Sequence, residues 1–290
     1  MTELSKYVGP GADMPSMGMG CGTKEIGYMY GQYKRVTGKV GNVGRGFLGG
    51  GQPNFPEANG YGVVHFADAM LTDKGDSLTG KRCLILGSGK VSQNVATKLL
   101  EYGAIPISFS DQSGHIYEPD GFQSSRLRTM EKVKNERGAK VGRYIIASTT
   151  CQYNEPANIF DIPCDLVFPC AQMGSITADD VKSLVESGCE GIIEGGHCSV
   201  KSDARKELKK SGMLYGPHTL TLAGAQVISG LEKLHAGRIT DDMLRDEMRR
   251  IHKEVKNTSS EFNTRGDLHS GGIIMGFLRV ANIMAAQGAV

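Results

Sequence analysis

Hydrophobic residues recur along the chain in two patterns, helical spacing and short unbroken runs. Residues 56–73, PEANGYGVVHFADAMLTD, place apolar side chains at the spacing of one helix face, and the apolar run CLILG follows at Cys83–Gly87. A helix is predicted over residues 90–103, where Gly103 stops it, and a second strand over Ala104–Asp111. Strands and helices that alternate in this way predict crossover units and a parallel sheet.

The same alternation continues through the middle of the chain. The further segments are a polar helical stretch around Phe122–Lys134, the apolar runs Tyr144–Thr149 and Cys164–Ala171, a helix with Thr177 as its N-cap, the run CEGIIEGG, a helix at Ser202–Lys210 and the run MLYGP. The predicted fold class is therefore α/β, a doubly wound and mostly parallel sheet with flanking helices.

The two ends of the chain differ from this middle part. The first sixty residues are rich in glycine and contain one short helical stretch, KEIGYMYGQYKRV. The last seventy are helical, and the final run SGGIIMGFLRVANIMAAQ is apolar on nearly every side, which is typical of a buried helix. No internal repeat is visible.

Charge and hydropathy argue against several classes of partner. The chain has 33 basic and 31 acidic side chains, a net charge of +2, so neither duplex nucleic acid nor an anionic membrane is an expected partner. The unbroken apolar runs are far shorter than the roughly 20 residues that cross a bilayer, so no membrane insertion is expected. The start of the sequence has no secretory or transit pattern.

Seven cysteines are present without any C-x-x-C pair. This pattern is typical of free thiols in a reducing, intracellular compartment and argues against a disulfide framework. The adjacent His197 and Cys198 have no second pair at zinc-finger spacing, so no metal is predicted. Cytoplasm and mitochondrial matrix remain equally open.

A glycine motif closes the first predicted strand and opens the next helix. Gly87, Ser88, Gly89, Lys90 and Val91, followed by serine, match the dinucleotide-binding pattern G-x-G-x-x-G with serine at its last position. Such a turn brings backbone N–H groups and a helix N-terminus to a pyrophosphate.

An acidic residue at the end of the second strand, Asp111, stands where the same motif needs a ribose ligand. These features predict a Rossmann-type fold and a site for NADP or NAD. The alternative is that the glycines only preserve the turn. For Lys90, the alternatives are a phosphate contact and a lysine that faces solvent.

A family resemblance covers nearly the whole chain in order. The segments that carry it are EIGYMYGQYKR, PEANGYGVV, LGSGKVSQ, SDQSGHIYEPDG, CDLVFPCA, GCEGIIEG, SGLE and GGIIMGFLRVANIMAAQG. The chain resembles the hexameric, NADP-type glutamate dehydrogenases, which interconvert glutamate with 2-oxoglutarate and ammonia by hydride transfer to a nicotinamide. The resemblance implies a remnant of the substrate domain at 1–56, a nucleotide-binding domain at 57–236 and C-terminal helices at 237–290. It adds Ser110, Cys170 and Ala171 to the expected cofactor site.

The chain departs from the family pattern at polar, reactive positions. Gly18 stands where the family has its proton-transferring aspartate, and the lysine segments of the substrate site have no counterpart here. Further departures lie at Phe55, Asn59, Gly174, His197 and Leu222. Glycine transfers no proton, and the loss of a general acid or base typically costs about 10²–10⁴ in rate. No catalytic residue is therefore predicted.

Three hypotheses follow from the resemblance and its departures. The first is a catalytically inactive relative that acts as a structural or regulatory subunit. The second is an incomplete chain of an active NADP-dependent glutamate dehydrogenase, and the third is a module that senses a dinucleotide. For the first, the expected contacts are the apolar helix Ile273–Ala286 and the glycine-rich arm Gly9–Pro53, covered by a protein partner or by further copies of the chain.

Overall fold

A computed structural model describes residues 1–8, 12–13, 23–39, 55–136, 138–156, 158–234 and 239–288. Most of the arm Gly9–Pro53, including Gly18 and Cys21, lies outside these residues. Contacts divide the chain into one unit of Met1–Pro56 with Ile228–Ile239 and a second of Glu57–Val227 with Thr240–Val290. The three-part division expected from the sequence stays a prediction.

In the first unit, helix α1 spans Thr23–Thr37, as the sequence predicts. Ile26 and Tyr33, seven residues apart, face the same side and are buried. Around them pack Met1, Val8, Met29 and Tyr30. This unit therefore has a small apolar core of its own within the described residues.

The second unit contains the sheet and most of the helices. Its first half comprises α2 (Ala58–Thr72), β1 (Arg82–Leu86), α3 (Lys90–Glu101), β2 (Ile105–Pro106), β3 (Ser108–Asp111), β4 (Gly114–Tyr117), α4 (Ser124–Asn135) and β5 (Gln152–Asn154). Its second half comprises β6 (Leu166–Pro169), α5 (Ala178–Glu186), β7 (Gly191–Ile193), α6 (Ser202–Ser211), β8 (Leu214–Gly216), α7 (His218–Thr221), the start of α8 (Gly224–Leu234), α9 (Asp241–Glu261) and α10 (Leu268–Gln287).

The main sheet has five parallel strands in the order β2-β1-β6-β7-β8. The central pair aligns Cys83 with Leu166 and Leu86 with Pro169. Thr177 caps α5 as predicted, in a reciprocal capping box with Asp180. The predicted α/β class with a mostly parallel sheet is confirmed.

Alternate residues of each strand face opposite layers. On β1, Cys83 and Ile85 pack into a core with α2 and α3, whereas Leu84 and Leu86 pack into a second core with α5 and α6. All four side chains are buried. Burial on both faces explains why β1 reads as an unbroken apolar run.

The predicted single strand at Ala104–Asp111 is two strands in two sheets. Only β2 pairs with β1; β3 instead joins β4 and β5 in a separate antiparallel sheet. The regular ladder to β1 ends after Pro106: Ile107 N–H still donates to Cys83 O at 3.0 Å, and serine hydroxyls then bond to the backbone of β1. The Ser108 hydroxyl accepts from Ile85 N–H (2.9 Å) and donates to Ile85 O (3.1 Å).

The apolar run at Tyr144–Thr149 is also not a strand. Residues Val141–Ala147 form a 3₁₀ helix in which Tyr144 is fully buried while Ile146 is 88% exposed. The run is apolar on both sides, so its composition alone does not distinguish a strand from a short helix.

The last helix, α10, packs on α9 along one side only. Its Gly271 lies so close to α9 that a Cβ would sit 2.8 Å from Val255 O. Gly271 is the only buried residue of α10, so the burial that its apolar sequence favours is not provided by the described residues.

By length and composition, α10 is also the one helix among the described residues that could cross a membrane. An 18-residue window of it has a mean hydropathy of 1.2. Glycine, serine and asparagine interrupt this segment, so it contains no long unbroken apolar run. A helix that packs against protein can have the same length and hydropathy, so these two properties alone do not make α10 a membrane span.

Candidate functional site

Four loops meet at the carboxyl edge of the parallel sheet. They follow β1 (residues 87–89), β6 (170–177), β7 (194–201) and β8 (217), and parallel pairing places all of them at the same edge. Ligands of doubly wound sheets bind at this edge. The motif Gly87–Val91 and the residues Cys170 and Ala171 therefore lie on one side of the molecule.

Gly87 makes the turn that ends β1. Its φ is +97°, and a Cβ there would lie 2.6 Å from the carbonyl oxygen of Cys170, so only glycine fits. Gly87 N–H donates to Ser110 Oγ at 2.8 Å, and Ser110 N–H donates to Gly87 O at 3.1 Å. These bonds fix Ser110 beside the loop and engage its hydroxyl within the protein.

Gly89 has the opposite surroundings. It is the N-cap of α3 in an extended conformation, and a Cβ there would meet no atom within 4 Å. No side chain caps the helix, so the first N–H groups of α3 have no side-chain acceptor at the N-cap. A pyrophosphate fits this place, because backbone donors and the helix dipole both favour an anion.

The remaining motif residues contact other groups of the protein. Ser88 is buried and its carbonyl accepts from Gln93 Nε2 at 2.9 Å, while Val91 packs against the main core. Lys90 is exposed, and its Nζ lies 3.0 Å from Glu131 Oε1. The contact of Lys90 with a phosphate stays a prediction.

Asp111 ends β3 with both carboxylate oxygens engaged. Oδ1 accepts from the N–H and hydroxyl of Ser113 at 3.0 and 2.6 Å. Oδ2 accepts from Val141 N–H at 2.7 Å and Lys134 Nζ at 3.2 Å. Burial alone would raise the pKa of Asp111, but these hydrogen bonds outweigh it and hold the pKa below its usual range.

A cavity of about 390 Å³ opens beside Asp111. Its lining includes Gln112, Ser113, Lys134 and Lys140. The lysines, the hydroxyl and the amide offer donors and the carboxylates of Asp111 and Glu136 offer acceptors, a mixture that suits a ligand with hydroxyl groups.

Cys170 and Ala171 form the wall opposite the glycine loop. Burial raises the pKa of the Cys170 thiol, so that thiol stays protonated. A Cβ at Gly195 would overlap Cys170 Sγ, and one at Gly196 would lie 2.5 Å from Ala171 O. The loops after β6 and β7 are thus in close contact through Gly195 and Gly196.

The residues that depart from the glutamate dehydrogenase pattern mostly lie around the same edge. Gly174 has a φ of +67° and donates its N–H to Cys198 O at 2.9 Å, and His197 is exposed. Leu222 is 8% exposed and belongs to the main apolar core. Asn59, on α2, accepts from Ala225 N–H at 3.1 Å through Oδ1. Phe55, in the first unit, precedes α2.

Sequence reasoning missed one group at this edge, the carboxylate of Glu194. Glu194 follows β7, is fully buried, and accepts from Val200 N–H (2.8 Å), Tyr215 OH (2.9 Å) and His218 N–H (2.7 Å). The feature of the sequence that could have indicated this buried carboxylate is an acidic residue directly after the apolar run of β7.

The described residues contain no group of three or more His, Cys, Asp or Glu that could hold a metal ion.

Comparisons with known proteins agree with this architecture. The family profile described as Glutamate/Leucine/Phenylalanine/Valine dehydrogenase matches residues 50–288. The NADP-specific glutamate dehydrogenase of Chlorella sorokiniana is 38% identical over all of this chain, which spans 57% of that protein. The NADP-specific enzyme of Helicobacter pylori strain J99 is 34% identical, and the chain spans 67% of its length.

Solved structures show the same relation. Plasmodium falciparum glutamate dehydrogenase 2 superposes with a TM-score of 0.90 at 36% identity; the match covers all of this chain and 65% of that one. A hetero-hexameric glutamate dehydrogenase from Thermus thermophilus, at 18% identity and a TM-score of 0.78, shares the fold. Sequence, fold and the glycine loop therefore agree, and the chain belongs to the Glutamate/Leucine/Phenylalanine/Valine dehydrogenase family, with NADP-specific glutamate dehydrogenases among its relatives.

Proposed function

We propose that this chain is a non-catalytic member of its family that acts as a structural or regulatory subunit of a larger complex. The observation that carries the proposal is the chemistry of the positions where the resemblance expects asparagines for the nicotinamide ribose and amide. Those positions hold Gly174, His197 and Leu222, and Leu222 is buried in apolar surroundings. Glycine and leucine side chains offer no hydrogen bond to a ribose or an amide.

The substrate side supports the same conclusion. The resemblance places Gly18 at the family's proton-transferring aspartate. A missing proton-transfer group costs about 10²–10⁴ in rate on its own. Further losses at the nicotinamide positions would add to it, because hydride transfer requires an oriented ring.

The nucleotide side favours a second candidate function, the sensing of a dinucleotide. The open space at Gly89 and the uncapped start of α3 support a pyrophosphate over residues 87–91. The cavity beside Asp111, lined by lysines and by the carboxylates of Asp111 and Glu136, supports a ribose. When bound, NADP or NAD would supply a hydride acceptor, but its nicotinamide end would be poorly held, so binding should be weak and similar for oxidised and reduced forms.

The exposed side of α10 supports the subunit role. Ile273, Phe277, Val280 and Met284 recur at helical spacing and are each 57–70% exposed. Burial of each such side chain is worth roughly 1.5–3 kcal/mol. The resemblance implies that in the family this helix packs on the substrate domain. We therefore propose that the exposed side of α10 is covered by protein, either a partner subunit or further copies of this chain.

An activity assay tests the leading proposal. The chain, purified from a host without glutamate dehydrogenase, is given glutamate with NADP or NAD, and 2-oxoglutarate with ammonia and the reduced cofactors, and absorbance at 340 nm is followed. The expected result is no rate above a mock purification. Turnover would contradict the proposal and favour the alternative of an active NADP-dependent glutamate dehydrogenase.

Isothermal titration with NADPH and NADH tests the second candidate. Binding of either would support a sensing role, and similar constants for oxidised and reduced forms would match the poorly held nicotinamide end. A strong preference for the reduced form would contradict a poorly held nicotinamide end, because that preference requires specific contacts to the nicotinamide.

A further inference from the structure

Cys198, His218 and Glu194 form a chain of contacts at the carboxyl edge of the parallel sheet. Cys198 Sγ lies 3.5 Å from His218 Nε2, and His218 Nδ1 lies 3.2 Å from Glu194 Oε2. Glu194 and Cys198 lie in the loop after β7 and His218 begins α7, so the fold brings the three together across 24 residues of sequence. A thiol, an imidazole and a carboxylate in this order are the parts of an activated nucleophile.

Glu194 fixes the orientation of the histidine. The carboxylate is fully buried, and its Oε2 accepts from Tyr215 OH and from the backbone N–H of His218 as well as from the ring. Because the Nδ1 proton is directed to Glu194, the lone pair of a neutral His218 is on Nε2, the atom that faces the thiol. His218 is thus placed to accept the proton of Cys198.

The backbone holds the thiol toward the histidine. Cys198 has a φ of +49°, one of two left-handed non-glycine residues in the described chain. Its carbonyl accepts from Gly174 N–H at 2.9 Å, and two residues earlier Gly196 is pressed against Ala171. Among the described cysteines, all of which are free thiols, Cys198 is the one whose sulfur lies within hydrogen-bond distance of a histidine.

We propose that Cys198, His218 and Glu194 form a nucleophilic thiol site that exchanges with low-molecular-weight disulfides. The Sγ–H proton passes to His218 Nε2 as Sγ attacks one sulfur of the disulfide. A new S–S bond forms, the old one breaks, and the leaving sulfur keeps its electron pair and takes the proton from His218. Cys198 is oxidised to a mixed disulfide, the leaving half is reduced to a thiol, and an external thiol reverses the step.

The groups that face this site also set its response to pH. They are Tyr215, His197 (ring centroid 6.0 Å from that of His218), Arg205, His269 and Lys201, whose Cε would lie 3.3 Å from a Cβ at Gly174. A control thiol is available in Cys151, which is partly exposed but whose pKa burial raises to about 12. A second control, Cys189, is buried and shares the tryptic peptide 183–201 with Cys198.

The test uses the full chain with Ellman's aromatic disulfide and with glutathione disulfide as probes. Acid quenching followed by non-reducing peptide mass spectrometry gives a rate for each cysteine between pH 6 and pH 9.5. Cys198 is expected to react at least tenfold faster than Cys151 and Cys189 at pH 7. Equal or slower reaction of Cys198 would overturn the proposal.

Two variants separate a chemical role of His218 from a structural one. H218Q should slow Cys198 about tenfold at pH 7 but little at pH 9.5, where hydroxide removes the thiol proton without help from the histidine. C198S should remove the fast reaction. A rate of Cys198 in H218Q that is unchanged at pH 7, or that is lowered equally at both pH values, would contradict the role given to His218. The wild-type comparison with Cys151 decides the proposal even where H218Q fails to fold.

Discussion

Gly87 and Gly89 are two residues apart, yet they tolerate a side chain very differently. G87A should lower the free energy of unfolding by about 2 kcal/mol or more, because a Cβ would meet Cys170 O at 2.6 Å and φ is +97°. G89L should cost less than about 1 kcal/mol, since its Cβ points into open space and only an N-cap preference is lost. Urea denaturation of the two variants measures the difference.

The same pair of variants locates any dinucleotide. If titration detects binding to the wild type, G89L should abolish it while the variant stays folded, because leucine would occupy the place of the pyrophosphate. Unchanged affinity in G89L would place the ligand elsewhere on the protein.

At the level of single residues, sequence reasoning succeeds where the backbone imposes a demand. The requirement for glycine at Gly87 follows from a tight turn between strand and helix, which the motif predicts directly. The pairing of Lys90 with Glu131, 41 positions away, and of Cys198 with His218 depends on how the finished elements pack. Local patterns carry no information on such contacts.

At the level of elements, the contact of α10 with α9 depends on one glycine. G271A should destabilise the fold by about 1–3 kcal/mol, because its Cβ would lie 2.8 Å from Val255 O and 2.9 Å from Ser259 Cβ. G276A, one helix face away with no atom near its Cβ, should stabilise by about 0.5–1 kcal/mol. Thermal unfolding in which both variants shift in the same direction would contradict this account of the contact.

The elements also show why strand predictions failed in one region. The parallel strands carry a clear signal, because both faces of β1 and β6 are buried. The segment at 104–111 has the same apolar character, but Pro106 and the hydroxyls of Ser108 and Ser110 end the ladder to β1. The change of sheet therefore rests on side-chain hydrogen bonds that periodicity does not register.

For the whole molecule, buried histidines predict a loss of stability in mild acid. Burial lowers the pKa of His65, His115, His252 and His269 in the folded state. As pH falls below about 6.5 the unfolded chain takes up protons first, so folding loses free energy in that range and keeps its full value above it. The urea concentration at the midpoint of unfolding should therefore be lower at pH 5.5 than at pH 7.5.

A variant tests the origin of that loss. His252 packs edge-on against Phe66 with ring centroids 5.5 Å apart, so H252L keeps an apolar contact and removes one titrating group. The difference between the two midpoints should shrink in H252L. An equal difference in wild type and variant would assign the acid sensitivity to other groups.

The exposed face of α10 predicts association of the whole molecule. The wild type should elute as a species larger than 31.1 kDa in size-exclusion chromatography with light scattering, or should aggregate. The double variant F277E/M284K should shift it toward a monomer, whereas I146E, at an exposed isoleucine away from α10, should not. A well-behaved wild-type monomer would contradict the subunit proposal, and co-sedimentation with lipid vesicles would assign the face to a membrane instead.

The strand order has a consequence for how the chain folds during synthesis. β1 pairs on one side with β6, and the register of Cys83 with Leu166 closes a loop of about 80 residues. Long-range parallel pairing of this kind is slow, because the loop must close before the contacts form. While a ribosome still conceals β6, the apolar strand β1 has only the two-residue strand β2 as a neighbour in the sheet. Nascent chains arrested before Pro169 emerges should therefore be protease-sensitive and dependent on chaperones, and protection should begin when β6 leaves the exit tunnel.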